Sequence, residues 1–197
     1  MELDIDYEGL REKFRPERVN LLLIAEAPPR GRFFYDVGTS KSDSLYLEIM
    51  SVIFLGLTQG VPRERTRPCT NKLRQYKACY LKRFQENGFW LQDTVPCPVD
   101  GKDPPKAIKD NIGRIEKLIC KYEIKKCILI GNSVFQIKDS LIKNTSVKVL
   151  NDLALPFAGQ GHQAEFRKEF SKILSQNGFI NKGNGKLEDD HGKQVCS

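Results

Sequence analysis

Short, continuously apolar runs alternate along this chain with segments in which apolar residues recur at helical spacing. A continuous apolar run is typical of a strand buried on both faces, as in a parallel sheet. The runs predict strands at 19–26, 89–93, 125–131 and 147–156. The amphipathic segments predict helices at 5–16, 42–56, 73–87, 106–122, 132–142 and 162–176. This order predicts an α/β fold, a three-layer α/β/α sandwich around a four-stranded, mainly parallel sheet.

One domain accounts for the predicted elements. We expect residues 1–178 to form this domain and the polar, glycine-rich residues 179–197 to be a disordered tail. Residues 57–72 are predicted to be irregular. No apolar run reaches the ~18 residues that suggest a membrane span, so we expect no membrane partner.

The first predicted strand ends at a carboxylate, Glu26, and two prolines follow directly after Ala27. Prolines lack the backbone donor that a strand needs, so pairing should stop near Glu26. Ligands of open α/β sheets bind beyond the carboxyl ends of the strands, which makes Glu26 a candidate catalytic group. The alternative is a solvated glutamate at a strand end. Phe34 in the next loop is suited to stacking on a flat ligand, or to plugging the rim of the core.

Other polar groups follow the later strands. Asp93 precedes a proline-containing turn, Asn132 opens a helix after Gly131, and the loop 155–163 precedes the last helix. Because the carboxyl ends of parallel strands lie along one edge, we expect these groups to gather beside Glu26.

Positive charge is concentrated in one segment. The net charge of +7 coincides with a stretch from Arg63 to Arg83 that has eight Lys or Arg residues against the single acid Glu64. Such a stretch is either a solvated basic face or a surface for the phosphate backbone of DNA. The candidate DNA-binding residues are Arg63, Arg65, Arg67, Lys72, Arg74 and Lys77.

The cysteines and histidines do not indicate a metal site. The six cysteines include no C-x-x-C pair, and His162 and His191 are the two histidines. We therefore expect no metal and reduced thiols in a cytoplasmic protein, which would be nucleoid-associated in a prokaryote.

The ordered motifs resemble those of the uracil-DNA glycosylase superfamily. Ala25-Glu26-Ala27-Pro28-Pro29 is similar to the Gly-Glu-Ala-Pro-Gly motif of its thermostable branch, and Gly31-Arg32-Phe33-Phe34 to the Gly-x-Pro-Phe that follows. The stretch from Asp93 to Cys97-Pro98 resembles the family's Asn-x-x-x-Cys strand end, Ile130-Gly131 its Leu-Gly, and Leu155-Pro156-Phe157 its His-Pro-Ser loop. The resemblance spans residues 19–175.

This resemblance implies a monomeric DNA glycosylase that flips a damaged or deaminated base, uracil or a related one, and hydrolyses its N-glycosidic bond. Glu26 then assists the attack of water on the sugar, and Phe34 stacks on the base. Asp93 stands where uracil recognition uses Asn, and Leu155 where many members have His. The iron–sulfur cysteines of the thermostable branch are absent, so no cofactor is expected. The implied substrate-binding set is Ala25, Ala27, Phe34, Asp93, Asn132, Leu155, Pro156, Phe157 and Gln160.

Two residues, Asp93 and Leu155, differ from the family's motifs, and these differences change the expected chemistry. An ionised Asp93 offers acceptors alone, which suits a base with N–H donors, unless burial keeps Asp93 protonated. With Leu155 in place of His, the leaving base needs another group, such as backbone amides of 157–161, Gln160 or His162. His162 is therefore a second candidate catalytic residue. Two alternatives stay open: a catalytically silent nucleic-acid or nucleotide-binding protein of the same fold, and an enzyme acting on free nucleosides.

Overall fold

The computed structural model of the chain describes residues 5–38, 44–57, 63–99, 103–159 and 161–180, with the backbone alone for 63–68. The helices are α1 (Tyr7–Lys13), α2 (Ser44–Leu55), α3 (Arg63–Gln75), α4 (Lys77–Glu86), α5 (Pro104–Lys121), α6 (Asn132–Phe135), α7 (Lys138–Asn144) and α8 (Gln163–Gln176). The strands are β1 (Leu21–Ala25), β2 (Phe89–Asp93), β3 (Lys126–Leu129) and β4 (Lys148–Val149). The predicted α/β sandwich with a four-stranded sheet is confirmed, and the described strands are all parallel.

The sheet is organised around β1. Its strand order is β2-β1-β3-β4, so β1 pairs with β2 on one side and β3 on the other. All five residues of β1 are buried, which explains why the run Leu21–Ala25 is continuously apolar. Burying a leucine or isoleucine side chain contributes about 1.5–3 kcal/mol, so this strand is a major source of stability.

The strand β2 lies at the edge of the sheet, where its outer backbone groups need another partner. The buried hydroxyl of Tyr35 supplies it: the hydroxyl accepts from the Leu91 amide at 2.7 Å and donates to the Leu91 carbonyl at 3.1 Å. One phenol thus satisfies both outward backbone groups of a residue. The Trp90 indole donates to the Arg11 carbonyl at 3.0 Å, which ties α1 to β2.

The ends of β1 and β2 are joined residue by residue. Ala25 and Asp93 are register partners, and beyond them the Thr94 amide and hydroxyl both donate to the Ala25 carbonyl, at 2.7 and 3.0 Å. The Val95 amide then donates to the Glu26 carbonyl at 2.9 Å. These bonds fix the backbone of Glu26 next to that of Asp93, although the two residues are far apart in the chain.

The segment predicted to be irregular differs from the prediction. Arg63–Gln75 is helical despite its positive charge and the internal Pro68. The helix contacts α2 and α4, and its residue Leu73 is fully buried. Good helix formers and tertiary packing therefore outweigh the cost of the internal proline.

The described cysteines differ in oxidation state. Cys69, Cys97, Cys120 and Cys127 are free, as the sequence predicts, but Cys79 is disulfide-bonded. Burial raises the pKa of the Cys127 thiol to about 12, which keeps it neutral and unreactive. Within the described ranges, none of the helices combines the length and apolarity that a membrane crossing requires.

Candidate functional site

A pocket of about 340 Å³ opens at the carboxyl ends of β1 and β2. This volume lies at the small end of the range for ligand sites, about 300–1,000 Å³. We call it the Glu26 pocket. Its charged lining residues are Glu26, Arg32, Arg74 and Asp93, and its aromatic lining residues are Phe33, Phe34 and Phe157.

Glu26 is the uncommitted acid of this pocket. It follows the last residue of the central strand and is partly exposed. In the part of the chain that the structure describes, its carboxylate has no hydrogen bond or ion pair, while its backbone carbonyl is held by Val95. The side chain is thus free to bind water or a ligand on a fixed backbone.

Asp93, by contrast, is held by a partner from α1. Its Oδ2 accepts a hydrogen bond from Arg11 Nη2 at 2.6 Å, and the side chains of Asp93 and Arg11 are 4% and 0% exposed. Arg11 Nη1 also donates to Glu8 at 3.2 Å, and the guanidinium lies over the Phe33 ring, 5.0 Å from its centroid. A charge-assisted bond of this length between buried groups is strong.

A second guanidinium completes what we call the Asp93 network: Glu8, Arg11, Asp93 and Arg114. Arg114 donates to the Asp93 backbone carbonyl and to the Gln92 side chain, and lies 3.7 Å from Glu8. Two acids and two arginines make the network neutral overall. Burial raises the pKa of Asp93, and the Arg11 charge opposes this rise.

The aromatic wall of the pocket belongs to the core. Phe33, Phe34 and Tyr35 are each at most 1% exposed. Phe34 contacts Tyr35 edge to face at 4.8 Å between centroids and also contacts Tyr46 and Phe84. Phe157 is far from this loop in the sequence but lines the same pocket, and its side chain is 49% exposed. Phe34 therefore forms a fixed wall, while Phe157 is accessible to a ligand.

The basic segment reaches the pocket through α3. Arg74, near the end of that helix, lines the pocket, and Lys72, two residues earlier, is exposed. Arg63, Arg65 and Arg67 lie on the same helix, but their side chains are outside the described part. Lys77 differs from the prediction: it is 5% exposed and its ammonium donates to the Phe33 carbonyl at 3.0 Å. Lys77 therefore supports the aromatic loop and is not accessible to a phosphate.

The pocket contains some of the residues that the sequence predicts and not others. Ala25, Glu26, Ala27, Phe34, Asp93 and Phe157 line it together. Asn132, Leu155, Pro156 and His162 are not among its described lining residues. Leu155 is buried and bridges to Ile130, while His162 is 61% exposed and lies 3.5 Å from Glu165. Gln160 lies outside the described residues.

Arg11, Arg32 and Arg114 are charged residues at the site that the sequence did not indicate. Arg32 lies inside the Gly31-Arg32-Phe33-Phe34 motif. One feature of the sequence indicates that Arg11 is buried: it falls on the apolar face of α1, together with Tyr7, Leu10 and Phe14. A charge on an apolar face is buried on folding and needs an opposite charge. The sequence did not show that this charge is Asp93.

A larger cavity, of about 680 Å³, lies at the opposite edge of the sheet, around the first residues of β2 and β3. Its lining includes Lys125, Lys126, Asn177 and Glu123. It lies at the amino ends of the strands, where open α/β sheets do not place their ligands. The smaller Glu26 pocket is therefore the candidate functional site.

No protein-family model, curated protein or solved structure matches this chain. Among the described residues, no three His, Cys, Asp or Glu side chains come close enough to hold a metal ion.

Proposed function

We propose that this chain is a DNA glycosylase that accepts a flipped base in the Glu26 pocket and hydrolyses its N-glycosidic bond. The observation that carries the proposal is the partly exposed carboxylate of Glu26, which pairs with none of the described residues and lies in a small aromatic-walled pocket at the end of the central strand. The motif resemblance between residues 19 and 175 supports the same function.

The pocket suits a single base and not a duplex. A base inside a stacked duplex shields its glycosidic carbon, so an enzyme must extrude the nucleotide into a fitted pocket. The accessible ring of Phe157 supplies the stacking surface, while the buried Phe34 closes the wall of the pocket behind the base. Aromatic stacking on a base contributes about 1–3 kcal/mol and tolerates different bases.

Glu26 and the two pocket arginines have complementary roles in this proposal. Water attacks the anomeric carbon of the sugar while the carbon–nitrogen bond breaks and its electron pair leaves with the base. The Glu26 carboxylate takes the proton of that water and stabilises the positive charge that develops on the sugar. Arg32 and Arg74 supply positive charge toward the departing base, in place of the histidine that Leu155 replaces.

The helix α3 extends the pocket toward a DNA backbone. It carries Arg63, Arg65, Arg67 and Lys72, and its Arg74 lines the pocket. A strand of DNA held along this helix would have its phosphates neutralised close to the flipped base.

The direct test is a panel of single- and double-stranded oligonucleotides carrying uracil, hypoxanthine, xanthine or an undamaged base. The readout is base release by the native chain and by Glu26→Gln. General acid–base catalysis contributes about 10²–10⁴-fold, so Glu26→Gln is expected to lower the rate by at least ~10²-fold. The matched control is Glu17→Gln, which changes an exposed glutamate away from the pocket and is expected to leave the rate unchanged. Base release by Glu26→Gln at the native rate would exclude the proposed role of Glu26.

A second candidate function is nucleic-acid binding without hydrolysis. The observation that favours it is the commitment of Asp93 to Arg11, at the position where uracil recognition uses a free amide. Salt-dependent binding of the oligonucleotides with no base release from any of them would establish this alternative. The third hypothesis is an enzyme that acts on free nucleosides. It predicts that changing Arg65, Arg67 and Arg74 to Ala leaves the turnover of nucleosides intact.

A further inference from the structure

The two arginines that line the Glu26 pocket come from separate elements of the fold. Arg32 lies in the loop after β1, and Arg74 lies near the end of α3. Two guanidiniums at one pocket of about 340 Å³ repel each other, so both need a fixed backbone to stay there. A buried side chain holds a backbone carbonyl next to each arginine, and these two buried side chains contact each other.

Tyr46 of α2 holds the backbone beside Arg74. Its hydroxyl donates at 2.9 Å to the Leu73 carbonyl, which belongs to the peptide that Leu73 shares with Arg74. Carbonyls in the last turn of a helix lack partners within the helix, and the tyrosine supplies one here. Tyr46 and Leu73 are both 0% exposed. Burial raises the pKa of Tyr46, which keeps its hydroxyl protonated as a donor.

Lys77 of α4 holds the backbone beside Arg32. Its ammonium donates to the Phe33 carbonyl at 3.0 Å, and the same carbonyl accepts from the Asp36 amide at 3.1 Å. The ammonium also lies over the ring of Tyr46, 4.8 Å from its centroid. Desolvation and the helix dipole both disfavour a buried positive charge at the first residue of a helix. The carbonyl and the ring compensate for this cost, and they join the loop after β1 to the junction of α3 and α4.

The charges at the Glu26 pocket favour an anion. Among the described lining residues, the positive ones are Arg32 and Arg74, and the negative ones are Glu26 and Asp93. Asp93 is balanced within its own neutral network, where it is bonded to Arg11. Two positive charges therefore remain against the one of Glu26. A base that leaves with the electron pair of its glycosidic bond is an anion, and fixed positive charges stabilise it.

We propose that Tyr46 and Lys77 are positioning residues that hold Arg32 and Arg74 at the Glu26 pocket as a binding site for an anionic base. Neither positioning residue contacts the base, and each fixes the backbone next to one arginine. This inference rests on the proposed function, because it takes the Glu26 pocket as the place from which the base departs.

The test compares two flat pyrimidine rings that differ in charge at pH 7: uracil, which is neutral, and barbiturate, which is an anion. Their dissociation constants for the full chain are measured by NMR titration. Two guanidiniums close to a bound anion favour it by about tenfold, even at the dielectric constant of water. Barbiturate is therefore expected to bind at least ~10-fold more tightly than uracil. Equal affinities, tighter binding of uracil, or no binding of either ring would overturn the proposal.

Variants then assign the preference to the positioning residues. Tyr46→Phe removes a hydroxyl and Lys77→Met removes an ammonium, and both keep most of the packing. Each variant is expected to reduce the preference for barbiturate to within ~3-fold, because one arginine is no longer held. Tyr46→Phe changes no charge, so its effect comes from position alone. The ratio of the two affinities isolates this effect, because a general loosening of the pocket weakens the binding of both rings. A variant that is folded by circular dichroism and retains the full preference would exclude the positioning role of its residue.

Matched controls make the same substitutions elsewhere. Tyr122→Phe changes a tyrosine at the cavity on the opposite edge of the sheet, and Lys82→Met changes an exposed lysine of α4 that pairs with Glu86. Both controls are expected to keep the preference for barbiturate within about twofold of the native chain. Controls that lose the preference as fully as Tyr46→Phe and Lys77→Met would contradict the proposal.

The two proposals fail separately. A preference for barbiturate that Tyr46→Phe and Lys77→Met reduce, without base release from any oligonucleotide, would leave the positioning inference standing and remove the glycosylase. Base release without a preference for barbiturate would do the opposite.

Discussion

The ends of β1 and β2 make an instructive comparison. Each strand is followed or closed by an acid that precedes a proline-containing turn: Asp93 is the last residue of β2, and Glu26 directly follows Ala25, the register partner of Asp93. Glu26 is partly exposed and has no partner among the described residues, whereas Asp93 is 3% exposed and bonded to Arg11. The same local pattern therefore produces one acid without a described partner and one paired acid, and the difference comes from Arg11 of α1, which pairs with Asp93.

The largest expected effect tests the commitment of Asp93. Arg11→Leu leaves the buried carboxylate without its partner, and breaking such a pair costs about 3–5 kcal/mol. We expect this loss in the free energy of unfolding, measured by urea denaturation at pH 7. The control, Glu12→Gln, removes an exposed pair with Arg15 and is expected to cost at most ~1 kcal/mol. A loss for Arg11→Leu no larger than the control would show that α1 does not stabilise Asp93.

The pH dependence of the stability of Arg11→Leu gives a second test of how Arg11 affects Asp93. Burial raises the pKa of Asp93, and removing the opposing charge of Arg11 raises it further. A carboxyl whose pKa is higher in the folded than in the unfolded state loses stability as the pH rises from its unfolded value, about 3.9, to its folded value. The deficit of Arg11→Leu is therefore expected to be smaller near pH 4 than at pH 7. A deficit independent of pH in urea denaturation would contradict this.

A smaller effect is expected at the outer edge of β2. Tyr35→Phe removes the hydroxyl that satisfies both backbone groups of Leu91, in a buried position. Leaving a buried polar group unsatisfied costs about 1–3 kcal/mol, which thermal and urea unfolding can measure. No loss of stability would mean that water or a rearranged loop replaces the hydroxyl.

The smallest stability effect is expected at Glu26 itself. Since its carboxylate bonds to no described residue, Glu26→Gln is expected to change the free energy of unfolding by no more than ~0.5 kcal/mol. The same substitution is expected to lower base release by at least ~10²-fold. A large change in stability would show that Glu26 is a structural residue like Asp93, and the contrast between the two strand ends would disappear.

The sequence by itself determined the sheet and the edge at which the pocket opens. Continuous apolar runs require burial on both faces, and this predicts a parallel sheet; that β1 lies inside it follows from the tertiary structure. Prolines that cannot continue the pairing place Glu26 at its end. Local chemistry is sufficient for these features, because each depends on residues that are neighbours in the chain.

The tertiary structure decided which acid stays free, which lysine is buried and which basic segment is helical. Arg11 reaches Asp93 across 82 positions, and Lys77 reaches the Phe33 carbonyl across 44. Nothing in the spacing of the residues encodes such contacts. They exist because burying α1 and the aromatic loop against the sheet forces each charge on the buried faces to find an opposite charge or a carbonyl.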